Sequence, residues 1–275
     1  MNKASKSLLI AASLLGSTAI TSGVALAQDN ALGITGLTGM LGAGLKLEGR
    51  YLGSTEKDAT FMGIVDLTYQ QSVFLKYDNG SPYKYDHGLG YNFVRTPNLR
   101  AGVTLNWVPG REENDDPPRL RGTGNLADAV EVGVFGEFAF DYFKVDGGIR
   151  QDVADAHSGA IAEFGGSVGA AFGDKMRLMG RVGAVWATQN YNQYQWGIST
   201  AQAAASAGNG NYVAQNRKAG FNHLNFMVSG DYMVSQNFGV LARLGWVRLM
   251  DQAEDSQLSR KNDQFFGNVA VTYKF

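Results

Sequence analysis

The carboxyl end of the chain reads Phe265-Phe266-Gly267-Asn268-Val269-Ala270-Val271-Thr272-Tyr273-Lys274-Phe275. Phe265, Gly267, Val269, Val271, Tyr273 and Phe275 share one parity, and Phe266, Asn268, Ala270, Thr272 and Lys274 the other. An apolar face against a largely polar one, with a period of two, is the mark of a β-strand. The same alternation recurs upstream. Phe238 to Trp246, Leu224 to Tyr232, Leu178 to Trp186, Phe143 to Ile149, Val130 to Phe140 and Leu99 to Trp107 all carry it. Weaker versions run through Leu41–Tyr51, Phe61–Tyr69, Val73–Tyr77, Leu89–Phe93 and Ala160–Phe172. Together these segments predict twelve strands.

The connections decide what kind of β protein this is. Long polar stretches at Gly53–Thr60, Asp78–Asp86, Pro109–Ala127, Gln151–Ser158, Gln189–Gly220 and Asp251–Asn262 alternate with tight turns at 70–71, 96–98, 141–142, 173–175 and 235–237. Short turns on one side, long loops on the other and an even strand number describe a transmembrane antiparallel up-and-down β-barrel of the bacterial outer membrane. Hydrocarbon admits only structures with every backbone group paired, so the sheet must close on itself. A soluble β-sandwich does not predict this regular long and short alternation. Nor does it predict aromatics at strand ends, where membrane girdles sit: Tyr51, Tyr69, Tyr91, Trp107, Trp186, Trp246 and Tyr273.

Composition agrees. The 275 residues include 36 Gly, 31 aromatics and no Cys, and 18% are charged, against roughly 25% charged in ordinary soluble domains. Without Cys there are no disulfides, thiolate metal sites or thiol nucleophiles. A formal net charge of −1 gives no electrostatic reason to expect nucleic acid. At the amino terminus Lys3 and Lys6 precede the apolar run Leu8–Gly16, and Ala25-Leu26-Ala27 supplies a small-x-small cleavage pattern. Residues 1–27 therefore read as a cleaved signal peptide with Gln28 as the first mature residue. Loss of Lys3 and Lys6 takes the 24 basic residues to 22, against 25 acids. The barrel is expected over 28–275, with 28–40 a periplasmic segment preceding the first strand. Val271, Tyr273 and Phe275 resemble the terminal signal read by the outer-membrane barrel assembly machinery.

Several stretches resemble the MipA/OmpV family of outer-membrane proteins, whose name-giving member interacts with a murein lytic transglycosylase. They are Tyr51-Leu52-Gly53-Ser54, Gly88-Leu89-Gly90-Tyr91, Leu120-Arg121-Gly122-Thr123-Gly124, His157-Ser158-Gly159, Tyr194-Gln195-Trp196-Gly197-Ile198-Ser199, Gln202–Ser206, Ala253-Glu254-Asp255-Ser256 and Tyr273-Lys274-Phe275. Their order and spacing cover essentially all of the mature chain. The resemblance implies a non-enzymatic scaffold in the outer membrane, with the lytic transglycosylase and a bifunctional penicillin-binding protein as partners. The alternatives are a pore for small solutes and, with least support, a hydrolase at the barrel rim.

Charged residues on the inner parity are Arg50, Asp66, Arg100, Glu131, Glu137, Arg150, Glu163, Arg177, Arg181, Asp231 and Arg243, with Lys46, Glu48, Lys76, Lys144 and Asp146. Nine bases and seven acids, mixed along neighbouring strands, suit a salt-bridged barrel interior better than a segregated ion path. His87, His157 and His223 fall near the extracellular strand ends, with Ser81, Ser158 and Ser199 nearby. No recognisable lipase motif accompanies them, and no catalytic residues are assigned. The acidic run Arg111–Asp116 reads as a solvated loop whose Pro117-Pro118 end favours extended chain. No metal or cofactor is expected. Gly147-Gly148 and Gly165-Gly166 lie inside strands and mark close approaches, not phosphate cradles.

The loop Gln189–Gly220 carries the sharpest expectation. Ser199 or Thr200 can cap a helix near Ala201–Ala207, and Gly208 can end it. Two turns are too short to persist alone, so the helix is expected to fold inward over the barrel mouth and occlude it.

Overall fold

The computed structural model describes residues 34–208 and 210–275. Residues 1–27, including Ala25 and Ala27, and Gln28 lie outside the described part. Twelve antiparallel strands close into a barrel in which every strand pairs with its sequence neighbours and β1 pairs with β12. They are β1 (Leu37–Gly49), β2 (Lys57–Tyr69), β3 (Val73–Asp78), β4 (Gly88–Arg95), β5 (Leu99–Val108), β6 (Ala129–Phe140), β7 (Phe143–Asp152), β8 (Ala160–Phe172), β9 (Met176–Ala187), β10 (Gly220–Met233), β11 (Phe238–Leu249) and β12 (Asp263–Lys274). Leu37–Met40, expected to precede the first strand, belong to β1, because their backbone pairs with Asp66–Tyr69 of β2.

The alternation sorts the side chains as the membrane demands. Leu45, Phe61, Val145, Val182, Leu244 and Val271 are exposed on the outer face, which in a bilayer meets lipid. Val271, Tyr273 and Phe275 follow this outer parity at the closing seam, where Gly39 and Phe275 exchange backbone hydrogen bonds at 2.9 and 3.1 Å. Between opposite walls of the seam region, Met62, Ile64, Leu241 and Ala270 form a buried apolar cluster inside the barrel, with Met40 against it.

At the periplasmic end the turns are tight. Gln70 and Gln71 both take positive φ, 47° and 61°, the conformation that a two-residue hairpin turn needs to follow the strand twist. At the other end are six loops: L1 (50–56), L2 (79–87), L3 (109–128), L4 (153–159), L5 (188–219) and L6 (250–262). L3 contains α1 (Pro117–Leu120), L5 contains α2 (Gln189–Trp196) and α3 (Thr200–Ala205), and L6 contains α4 (Asp251–Glu254). Pro117-Pro118 was expected to be extended. Both instead occupy the first helical positions of α1, where a missing N–H costs nothing and the fixed φ suits a helix.

α3 sits where the sequence indicated. The Ser199 hydroxyl accepts the Gln202 N–H at 3.2 Å and the Ser199 N–H donates to the Gln202 side chain at 2.8 Å. This reciprocal pair satisfies two orphan donors of the first turn. The chain leaves the helix through Gly208 at φ +80°.

Candidate functional site in the barrel lumen

L1, L3 and L5 leave the barrel between β1 and β2, β5 and β6, and β9 and β10, four strands apart from one another. Loops so placed can share a core only over the barrel axis, and they do. Leu120 of L3, Ile198 and Tyr212 of L5 and Leu258 of L6 are buried together, with Tyr51 of L1 and Ala203 of α3 packed against them. The Tyr51 hydroxyl donates to the Leu258 carbonyl at 3.2 Å, and the Tyr212 hydroxyl to the Arg119 carbonyl at 2.7 Å. Arg217 donates to the Asp255 carbonyl at 2.9 Å and Ser256 to that of Trp196 at 2.7 Å. Tyr51 is thus a cap residue rather than part of a lipid girdle, and burial beside Asp116 pushes its phenol up to about 12.

L5 forms a roof and does not enter the lumen as expected. The segment that does is L2. The Asp78 carboxylate accepts the Gly80 N–H at 3.0 Å and turns the chain inward. Gly88, at φ +93°, returns it to the wall. Between these points Tyr83, Tyr85, Asp86 and His87 are buried.

The contacts of L2 cross the whole barrel. The Asn79 carbonyl accepts from Lys46 of β1 at 2.9 Å, and the Gly80 carbonyl from Asn268 of β12 at 2.7 Å. The Tyr83 hydroxyl donates to the Arg181 carbonyl of β9 at 3.1 Å. The Lys84 N–H donates to the Glu163 carboxylate of β8 at 3.1 Å, and its carbonyl accepts from Arg150 of β7. The Tyr85 hydroxyl donates to Glu137 of β6 at 2.9 Å. Asp86 is held by Arg100 of β5 and Lys76 of β3, both at 2.6 Å. Asp78, where L2 begins, pairs with Arg243 of β11 at 2.6 Å. The Arg100 guanidinium lies 4.7 Å from the Phe74 ring centre and 4.6 Å from that of Phe135, and Arg181 lies 3.9 Å from that of Tyr83. Delocalised, weakly hydrated guanidinium groups suit such desolvated contacts.

Inner-wall glycines make the room. A Cβ on Gly148 would lie 3.0 Å from the Tyr85 carbonyl oxygen, and one on Gly183 would lie 3.3 Å from the Tyr83 ring. Both are closer than side chains normally approach.

The inner charges fall largely as their parity requires. Glu131 binds Arg150 at 2.9 Å, Arg181 binds Asp146, Glu163 lies 3.7 Å from Arg150, and Asp231 binds Lys274 at 2.9 Å. Asp66 is buried on the inner face of β2, and Arg177 faces inward near the periplasmic end of β9, opposite Asp231 in register. Arg50 is a correction: it lies beyond β1 at the outer rim, partly exposed, and pairs with Asp58 at 3.0 Å. The strand ends at Gly49, so parity no longer aims the next side chain inward.

The three imidazoles are engaged separately. His87 Nε2 is 3.4 Å from the Asp78 carbonyl, and His223 Nδ1 is 2.9 Å from Asn222. His157 Nδ1 accepts the Gly159 N–H at 3.0 Å between the rings of Tyr191 and Tyr194. Ser158 donates to Asp155 instead. In L3 the carboxylates are spent on backbone: Glu113 accepts the N–H groups of Gly122 and Gly124 at 2.9 and 2.6 Å.

His157 joins L4 to L5. Burial holds its pKa below the ordinary 6.5 despite Asp152 and Glu131 at 4.0 Å. The unfolded imidazole therefore binds protons first, and the L4–L5 contact is intact above about 6.5 and weakens as pH falls. Nuclear magnetic resonance titration should place the His157 midpoint below 6.5, with L5 more easily cleaved at Arg217 on the acid side. A midpoint at or above 6.5 would contradict this environment.

A closed antiparallel barrel with an apolar outer face, tight periplasmic turns and a lumen crossed by its own loop defines an outer-membrane β-barrel of the filled kind. The chain belongs to the family described as MltA-interacting protein MipA, whose profile matches residues 41–275. No curated protein sequence matches it. Solved barrels are similar at low identity. Outer-membrane expressed OmpT of Vibrio cholerae is 12% identical over 87% of this chain and 97% of that one, with a TM-score of 0.37. The KdgM porin is 9% identical over 86% and 99%, at 0.41. The outer membrane channel DcaP of Acinetobacter baumannii is 10% identical over 87% and 96%, at 0.39. Scores this low carry no argument about function.

Proposed function

We propose that the protein is a non-enzymatic, non-conducting anchor in the outer membrane that holds a murein lytic transglycosylase, and with it a bifunctional penicillin-binding protein, against the inner surface of that membrane. The observation that carries this reading is L2, tied to β1, β5 through β9 and β12, so that the lumen offers no open path. The family description names an interaction with the transglycosylase and supports the same reading.

Export with cleavage after Ala27 and assembly through Val271, Tyr273 and Phe275 complete the proposal. The first rests on the small-x-small pattern, the second on the outward position of the three side chains at the seam. The working surface is then the periplasmic rim, where Tyr142 and Val234 are exposed. A standard interface uses roughly 800 Å² per partner, so five tight turns imply a small contact. Affinity purification from detergent extracts should recover the lytic transglycosylase, and replacing Tyr142 and Val234 with Asp should reduce recovery about tenfold, the effect of truncating an interface anchor. Recovery at background, or recovery unchanged by the double variant, would contradict this docking surface.

A further inference from the structure

Because L2 turns into the lumen, the wall beside it is low. β3 has six residues and β4 eight, against 13 in β2. β2 pairs with β3 only from Ile64 to Tyr69, so its outer stretch, residues 57–63, has β1 on one side and no strand on the other. β4 likewise leaves β5 at Leu105. Two missing strands at about 4.8 Å spacing leave a notch roughly 10 Å wide.

Gly63 is six residues above Tyr69. At about 3.3 Å per residue and a tilt near 40°, that is roughly 15 Å up a lipid-facing band about 25 Å tall. The upper part of the notch therefore lies beside the outer leaflet. Open sheet edges do not persist in hydrocarbon unless polar groups meet them. At the foot of the notch Asn79 does so: its Oδ1 accepts the Gly63 N–H at 2.9 Å and its Nδ2 donates to the Phe61 carbonyl at 3.3 Å. Higher up, Thr60 has the inward parity yet is exposed.

Thr60 and Asp58 face Asn114 and Asp115 of L3 across a pocket of about 420 Å³ that Glu48 and Arg50 complete. On the outer face beside it, Phe61 is 68% exposed and Trp107 59%. The opening is apolar outside and polar within, and its lining carries both signs of charge.

We infer that this notch is a lateral binding site for a zwitterionic outer-leaflet lipid of the phosphatidylethanolamine class. The head enters the pocket, with its phosphate toward Arg50 and its ammonium toward Asp58 and Asp115. The chains stay outside on Phe61 and Trp107. A lining of one sign would select a singly charged head; this one matches a head with both.

The chain has no cysteine, so single thiols report cleanly. Thr60→Cys and Phe61→Cys, each labelled with bimane, are placed in vesicles of equal parts phosphatidylethanolamine and phosphatidylglycerol, with a nitroxide on one lipid at a time. At position 60, nitroxide phosphatidylethanolamine should quench about threefold more than nitroxide phosphatidylglycerol, a ratio within reach of one partly exposed charge contact. At position 61, which faces bulk lipid, the two should quench alike and report that the barrel is folded. Arg50→Gln with Asp58→Asn should abolish the preference at position 60. No quenching at 60 by either lipid overturns the site, and equal quenching by both in the unaltered pocket overturns the head-group assignment.

Discussion

Removing residues 80–86 and joining Asn79 to His87 through two glycines should convert a closed barrel into a conducting one. The deleted stretch takes with it the Tyr83 and Tyr85 side chains and the Asp86 carboxylate, three of the groups that span the lumen. Twelve strands enclose more space than their own inner side chains fill: eight strands are just filled, and 16 to 18 leave a water channel. Glycines at 148 and 183, which accommodate L2, become empty wall. The notch above β3 and β4 gives the current a route past the loop cap. Lys76 and Arg100 lose their shared carboxylate, so the open state should prefer anions. In planar bilayers the deletion should raise the current at least about tenfold above leak, as expected once a plugged barrel lumen is opened. A deletion variant that is folded and silent would contradict the role given to L2.

The second large effect is Asp86→Ala. It leaves Lys76 and Arg100 buried without the carboxylate that both contact at 2.6 Å, and Arg100 keeps only Glu137 at 3.7 Å. Breaking a buried ion pair from one side costs about 3–5 kcal/mol, because the remaining charge stays desolvated. That cost falls on the anchorage of L2 rather than on the barrel, whose strands are paired independently of Asp86. L2 should therefore detach at its carboxyl end while the barrel stays folded. Trypsin added outside should cleave after Lys84 in the variant and not in the unaltered protein, and brief openings should appear in recordings. Asp86→Asn, which keeps hydrogen-bond acceptance without the charge, should fall between the two. Equal protection of Lys84 in all three proteins would show that the ionic lock does not hold the loop.

The strands were legible because the membrane outside and the charged lumen inside write the period of two directly into the sequence. Even the weak run Ala160–Phe172 corresponds to β8. α3 was legible through Ser199 and Gln202, the two ends of its capping box. α2 was not. Its sequence, Gln189-Asn190-Tyr191-Asn192-Gln193-Tyr194-Gln195-Trp196, is poor in helix formers, and tertiary contacts hold it. Asn192 donates to the Lys218 carbonyl at 2.9 Å, and Tyr191 packs on His157.

L2 was missed because a polar segment between two strands looks the same whether it faces water or the lumen. A signal was nonetheless present. The inner parity carries nine bases and seven acids, and Arg243 and the Lys76–Arg100 pair take their carboxylates from Asp78 and Asp86. The inward glycines were read as close approaches without a partner; L2 is that partner at Gly148 and Gly183.

The most direct test is a planar-bilayer recording of the intact protein, beside the L2 deletion as proof that folded barrels have inserted. With L2 crossing the lumen and L1, L3, L5 and L6 joined over the axis, the intact protein should hold the bilayer at baseline while the deletion conducts. A steady, ohmic conductance from the intact protein would contradict the closed lumen and with it the account of the protein as an anchor.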